Sequence, residues 1–322
     1  MIYLFYFILA AAVILFATRL SYYIDLLDKT TGLSGAFLGG VMLAAVTSIP
    51  ELITSITAVA IVKQPDMVIG NILGSNLFNI TVLGALMLFG MKKFKNSSLA
   101  FAHKNTCYAL LVVTVLVSLV LYAQLEFQIF TVSWVSIAIM VVYLFAVRKM
   151  SSSEGEEEND PLVIDMSTKQ IVIRFIINSI LLVVASVLIT IISDQIAVDL
   201  GLGKTFAGAL LLAVATSLPE LASSIGLVFR GNFNATVGNI VGSNLFNFTI
   251  LFVSDLFLVH GTIYDQSGVS LLVYGSISTI VLTLLLLAKS KQDKLKPKLQ
   301  TVIYSVGAVL CTAGYLVYLA FH

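Results

Sequence analysis

The chain has 322 residues, of which 59% are hydrophobic and 11% charged, with a net charge of +1 and a mean hydropathy of +1.02. Soluble domains carry about 25% charged residues, so this composition excludes a soluble globular fold and points to an integral membrane protein. The net charge itself says nothing about partners. The two cysteines, Cys107 and Cys311, lie in apolar stretches without metal-type spacing, which argues against a disulfide framework.

A bilayer-crossing helix takes about 20 mainly apolar residues. That rule predicts ten spans, at 2–20, 35–62, 67–91, 105–123, 127–147, 170–193, 203–229, 235–261, 267–288 and 299–320. The first lacks a basic leader, so it reads as a retained helix rather than a cleaved signal. Only one long stretch is hydrophilic. It runs from Arg148 to Lys169, includes the acidic run Glu154–Asp160, and separates five spans from five. The run lacks the alternating ligands and glycine of a calcium loop, so it is expected to be a solvated linker. With no other large loop, no separate regulatory domain is expected.

The two halves repeat one another. Thr47–Leu52 matches Thr216–Leu221 at five of six positions, at an offset of 169. Gly70–Asn79 matches Gly238–Asn247 at nine of ten, at an offset of 168. Five spans per half is an odd number, so the second half must enter the membrane inverted. Inverted repeats are a transporter architecture with the site at the midplane. The expected fold is therefore all-α and integral to the membrane: a first five-helix repeat over 1–148, an acidic linker over 149–168 and an inverted repeat over 169–322, with helices broken at the midplane. Sixteen of the 18 basic residues fall in loops after odd-numbered spans, leaving Lys63 and Lys204 on the other side. By the positive-inside rule the linker is cytoplasmic and both termini are outside, in what is expected to be the cell membrane.

The repeated motifs carry the chemistry. Glu51 and Glu220 each sit near the middle of an apolar span, where insertion scales put the cost of a charge at roughly 2.5–3.5 kcal/mol. Pro50 has no N–H and its ring clashes with the carbonyl of Val46, while Pro219 does the same to Ala215. Each helix should break or kink there and leave a backbone carbonyl available. Thr47 with Glu51, and Thr216 with Glu220, are four apart and share a helix face. Ser75 with Asn79, and Ser243 with Asn247, repeat that spacing, and Asn71 and Asn239 add further amide oxygens. A lone Ser or Asn in a membrane helix is usually packing glue, and a mid-membrane Glu could instead pair with Lys63 or Lys204. The recurrence of all these pairs at nearly one offset favours an ion site. Every donor is a hard oxygen, which argues against zinc or copper and suits Ca²⁺, with its 6–8 oxygen ligands. Ser48 and Ser217 project at another angle and could serve adjacent monovalent sites.

These motifs resemble the paired signatures of the cation/calcium exchanger superfamily, especially its prokaryotic sodium/calcium exchanger-like branch. The resemblance covers the whole architecture and is specific across 46–79 and 215–247. It implies a secondary antiporter exchanging Ca²⁺ for Na⁺ by alternating access, with the first and sixth spans sliding. It implies that Thr47, Glu51, Thr216 and Glu220 bind Ca²⁺, and that Ser48, Ser75, Asn79, Ser217, Ser243 and Asn247 help bind Na⁺. Two departures stand out. Val46 and Ala215 occupy positions where the family usually has Gly, and Asn247 stands where some relatives carry Asp, which argues against potassium dependence. Proton-coupled relatives carry Asn-Ala-x-Glu rather than Thr-Ser-x-Pro-Glu. H⁺/Ca²⁺ exchange nevertheless stays open, as do other divalent ions and, less favoured, a passive channel. No cofactor, enzymatic centre, nucleic acid or obligatory protein partner is expected beyond Ca²⁺, Na⁺ (or H⁺) and the lipid bilayer. Asp255, eight residues beyond Asn247, reads either as interfacial or as lining an outer access path.

Overall fold

A computed structural model of the chain describes residues 1–97, 99, 102–123, 125–129, 131–151, 166–200, 206–258, 261–264, 269–289 and 296–321. The acidic run Glu154–Asp160 and Lys204 lie outside the described residues. Among the described residues the regular structure is helical, apart from one small hairpin. Among the described residues, eight helical segments are long and apolar enough to cross a membrane.

The first half comprises α1 (Ile2–Thr30), a segmented element over 35–62, α5 (Asp66–Phe89), the short α6 (Met91–Asn96), α7 (Ala102–Ala123) and α8 (Trp134–Ser151). The segmented element consists of α2 (Gly35–Phe37), a π-helical turn over Leu38–Leu43, α3 (Ala44–Thr47), α4 (Ile49–Thr57) and a second π-helical turn over Ala58–Val62. The second half comprises α9 (Thr168–Asp199), α10 (Phe206–Arg230), α11 (Phe233–Phe257), α12 (Val269–Lys289) and α13 (Pro297–Phe321).

Three boundaries differ from the sequence expectation. Helix α1 continues ten residues past residue 20, because Leu20, Ile24 and Leu27 are buried against protein rather than facing water. The span expected at 127–147 begins as a helix only at Trp134; the residues before it form strands β1 (Gln128–Ile129) and β2 (Val132–Ser133), paired antiparallel. An apolar run rich in β-branched residues satisfies a hydropathy window whether or not it is helical. Helix α6 was not expected; it is short, and its lysines and Asn96 keep it out of the apolar count.

The helices divide into two packing groups. In one, α1 and α9 meet along matching seams. Val13, Ala17, Leu20, Ile24 and Leu27 on α1, and Ile171, Phe175, Leu182, Ala185 and Ile189 on α9, are all buried. Their 4-3 spacing is the seam of two long helices that stay in register. The opposite faces, such as Leu4, Phe7, Ile176 and Ile180, are exposed, as lipid-facing residues should be. In the larger group α11 packs on α5, α7 and α8, while α12 and α13 pack on α5 and on each other. Helix α11 buries Thr236, Asn239, Ser243, Asn244, Asn247, Ser254 and Asp255, so its polar side chains meet protein and not hydrocarbon.

The π-helical turn over 38–43 lies backbone to backbone on α11. A Cβ placed on Gly238 would stand 2.9 Å from the Gly40 nitrogen and 3.1 Å from the Ala36 oxygen, and one on Gly242 would overlap the Gly40 carbonyl. Glycines four apart permit this approach. It brings the Thr47–Glu51 segment against the polar face of α11.

Candidate cation site

The Thr-Ser-x-Pro-Glu motifs sit in the segmented element and in α10, and the Asn-rich motifs sit in α5 and α11. Around Pro50 the helix resets. Ser48 adopts φ −92° and ψ 5°, between α3 and α4, and Glu51 falls in the first turn of α4. Helix α10 instead runs continuously through Pro219. In both places the proline withholds the N–H that would bind the carbonyl four residues back, at Val46 and at Ala215. The two halves therefore reach the same chemistry by different backbone paths.

Thr47, Ser48, Glu51, Ser75, Asn79, Thr216, Ser217, Glu220, Ser243 and Asn247 are all buried, and the structure brings them together. The bracing crosses between halves. Ser48 Oγ donates to Glu220 Oε1 at 3.0 Å, and Ser217 Oγ donates to Glu51 Oε1 at 3.3 Å. Ser75 Oγ reaches Glu51 Oε1 at 3.4 Å, Ser217 Oγ reaches Ser75 Oγ at 3.3 Å, and Thr47 Oγ1 lies 3.3 Å from Ser243 Oγ. The hydroxyl of Thr216 faces Glu51 and that of Thr47 faces Glu220, while the two carboxylates are close enough to repel.

Two residues that the sequence reading left out hold this cluster in place. Asn76 Nδ2 donates to the Asn244 carbonyl at 3.2 Å, and Asn244 Nδ2 returns the bond to the Asn76 carbonyl at 2.9 Å. Their side-chain oxygens then accept from the site asparagines: Asn79 Nδ2 to Asn244 Oδ1 at 3.1 Å, and Asn247 Nδ2 to Asn76 Oδ1 at 3.0 Å. Further out, Asn71 Nδ2 donates to Ser55 Oγ at 3.0 Å, and Asn239 Nδ2 donates to Ser224 Oγ at 2.9 Å. Asn76 and Asn244 stand in the repeated run itself, so their recurrence was the available signal. Ser55 and Ser224 are also one motif offset apart.

This pattern leaves a specific remainder. At the centre, Glu51 Oε2, Glu220 Oε2, Asn79 Oδ1 and Asn247 Oδ1 are buried without a hydrogen-bond partner among the described residues, as is Asn239 Oδ1 further out. All four central oxygens are acceptors, and the Asn79 and Asn247 amide nitrogens are already used in the bracing. A buried acceptor left unsatisfied costs about 1–3 kcal/mol, and more when charged, and two carboxylates side by side add repulsion. A hard cation offsets both costs; another hydrogen-bond acceptor offsets neither. No group of three or more His, Cys, Asp or Glu gathers among the described residues, so the donor set is two carboxylates supplemented by neutral oxygens.

Comparison with known proteins follows the same line. The family model described as sodium/calcium exchanger protein matches residues 2–148 and 171–322. The protein CaxA of Alkalimonas amylolytica is 30% identical over 252 residues, covering 75% of this chain and 76% of its own. The inner membrane protein YrbG of Escherichia coli strain K12 is 27% identical over 323 residues, covering 94% and 91%. The solved structure of NCX_Mj superposes with a TM-score of 0.74 at 21% identity, covering 100% of both chains.

Proposed function

This chain belongs to the sodium/calcium exchanger protein family, a family of cation/calcium antiporters, and from that premise we propose that it exchanges Ca²⁺ for Na⁺ across the cell membrane by alternating access. The observation that carries the reading is the set of four buried, unpartnered acceptor oxygens on Glu51, Glu220, Asn79 and Asn247. Ca²⁺ takes the two carboxylates, the hydroxyls of Thr47 and Thr216 and the carbonyls of Val46 and Ala215, a set that fits its usual 6–8 oxygens. Na⁺ takes positions built from Ser48, Ser75, Asn79, Ser217, Ser243 and Asn247. Because Ser48, Ser75 and Ser217 hydrogen-bond the same carboxylates that take Ca²⁺, the two sets of oxygens overlap and the loads compete. Moving the site with neither ion would carry two unpaired charges through low dielectric, and that penalty couples the fluxes.

The organisation proposed with it is a first repeat over 1–148, a cytoplasmic linker over 149–168 and a second repeat over 169–322, with both termini outside. A cysteine introduced at Ser152 should react with an impermeant maleimide only when the cytoplasmic face is open. Native Cys107 and Cys311 are buried and should stay silent.

The deciding experiment is radioactive Ca²⁺ uptake into proteoliposomes under an outward Na⁺ gradient and, separately, an outward H⁺ gradient. Uptake with Na⁺ alone, abolished by Glu51→Gln, is the expected result. Uptake with H⁺ alone would replace Na⁺ by protons on the same carboxylates. Flux of Ca²⁺ with no counter-ion would make the protein a channel.

A further inference from the structure

A second acidic cluster lies at the hairpin end of the bundle, apart from the central site. Asp255 is 1% exposed, near the end of α11. It stands eight residues beyond Asn247, about 12 Å along the helix at 1.5 Å per residue. Its Oδ2 accepts the Ser133 backbone N–H at 2.7 Å, but its Oδ1 is buried without a partner among the described residues. Ser133 is fully buried, and its Oγ is likewise unpartnered. Ser136 borders Asp255 and shares a 2.7 Å hydrogen bond with the Tyr264 hydroxyl.

A second acid stands nearby, on the segment leading into the hairpin. Glu126 is half-buried and accepts from Thr262 Oγ1 at 2.5 Å, while Gln128 Nε2 ties the hairpin to the Gly261 carbonyl at 2.7 Å. Burial holds the Glu126 carboxyl above the usual carboxylate range, and the charge of Asp255 adds to that. Burial also pushes the Tyr264 phenol up, with further contributions from both acids. Asp255 and Glu126 are thus near enough to act on one another, and Thr262 and Tyr264 link them: Thr262 Oγ1 donates to Glu126 and accepts the Tyr264 N–H at 2.9 Å, and the Tyr264 hydroxyl meets Ser136 beside Asp255. Neither has an ion-pair partner among the described residues. A structural hydrogen bond from Ser133 accounts for one carboxylate oxygen of Asp255. It does not account for the second oxygen, for the unused Ser133 hydroxyl, or for Glu126 beside them.

We infer that Asp255 and Glu126, with the oxygens of Ser133, Ser136 and Tyr264, form a second cation site that takes Ca²⁺. Two carboxylates balance one divalent ion, and the neutral oxygens supply the remaining hard donors. The site is separate from the central carboxylates and stands without the transport reading.

The chain's single tryptophan makes the test direct. Trp134 adjoins Ser133, donates to the Leu125 carbonyl at 2.9 Å and stacks on Phe127. A lanthanide bound here is therefore sensitised by excitation of tryptophan. The measurement is Tb³⁺ luminescence excited at the tryptophan band in the purified full chain carrying Glu51→Gln and Glu220→Gln, followed by titration with Ca²⁺. The expected result is saturable Tb³⁺ emission that Ca²⁺ displaces, abolished by adding Asp255→Asn and weakened about ten-fold by adding Glu126→Gln. Absence of saturable emission in the parent overturns the proposal, as does emission indifferent to both substitutions. If Asp255→Asn fails to fold, Glu126→Gln, which loses no buried bond to the hairpin backbone, decides alone. Failure of Ca²⁺ uptake in the transport assay with this Tb³⁺ signal intact would overturn the transport reading and leave the second site standing.

Discussion

Glu51 and Glu220 each use one carboxylate oxygen to hold a serine of the opposite half and leave the other buried without a partner among the described residues. Charge and identity were legible at this scale, since a repeated mid-span Glu next to Pro is rare and costly. Orientation was not legible. That Asn79 and Asn247 present oxygens rather than nitrogens depends on Asn76 and Asn244 accepting their amides, a relation between residues 165 and 171 positions apart. Asn76→Ala removes the acceptor for Asn247 and the donor to the Asn244 carbonyl. Unsatisfied buried groups at about 1–3 kcal/mol predict a roughly 10- to 100-fold loss of Ca²⁺ affinity by equilibrium binding, with the helix content by circular dichroism unchanged. Glu220→Gln should remove high-affinity Ca²⁺ binding outright.

At the scale of elements, hydropathy anticipated the eight membrane-crossing segments found among the described residues but could not say how each one is built. Pro50 resets its helix at Ser48, while Pro219 is absorbed within α10; the same dipeptide in the same motif has two outcomes because the surroundings differ. The Leu38–Leu43 turn lies backbone to backbone on α11, and no window average could have reported that. Gly242→Val should force this contact apart and abolish transport, whereas Gly231→Ala, in an open left-handed turn (φ +83°), should cost stability alone. Helix α12 ends in a buried lysine, Lys289, whose ammonium lies over Phe94, donates to the Lys95 carbonyl at 2.9 Å and also reaches the Ser97 carbonyl. These carbonyls close α6. Lys289→Met should destabilise the protein by about 2 kcal/mol, the scale of a charged hydrogen bond, measured as a lower midpoint in thermal unfolding by intrinsic fluorescence.

For the whole molecule, the crossed hydrogen bonds would give the proposed ion site a second role. Each carboxylate belongs to one half and is braced by the other, so the ligands exist as a set only while the halves are docked. A bound ion is then a rivet: it draws both halves onto one charge, and pulling them apart means losing it. Binding linkage gives the magnitude, about 2.7 kcal/mol when free Ca²⁺ is 100 times its dissociation constant. The melting temperature should climb with Ca²⁺ in the wild-type chain and stay flat with Glu51→Gln and Glu220→Gln together. Residues 1–148 and 169–322 expressed as separate polypeptides should copurify better in Ca²⁺ than in chelator. The substrate of such a protein is, for the time it is carried, one of its structural parts.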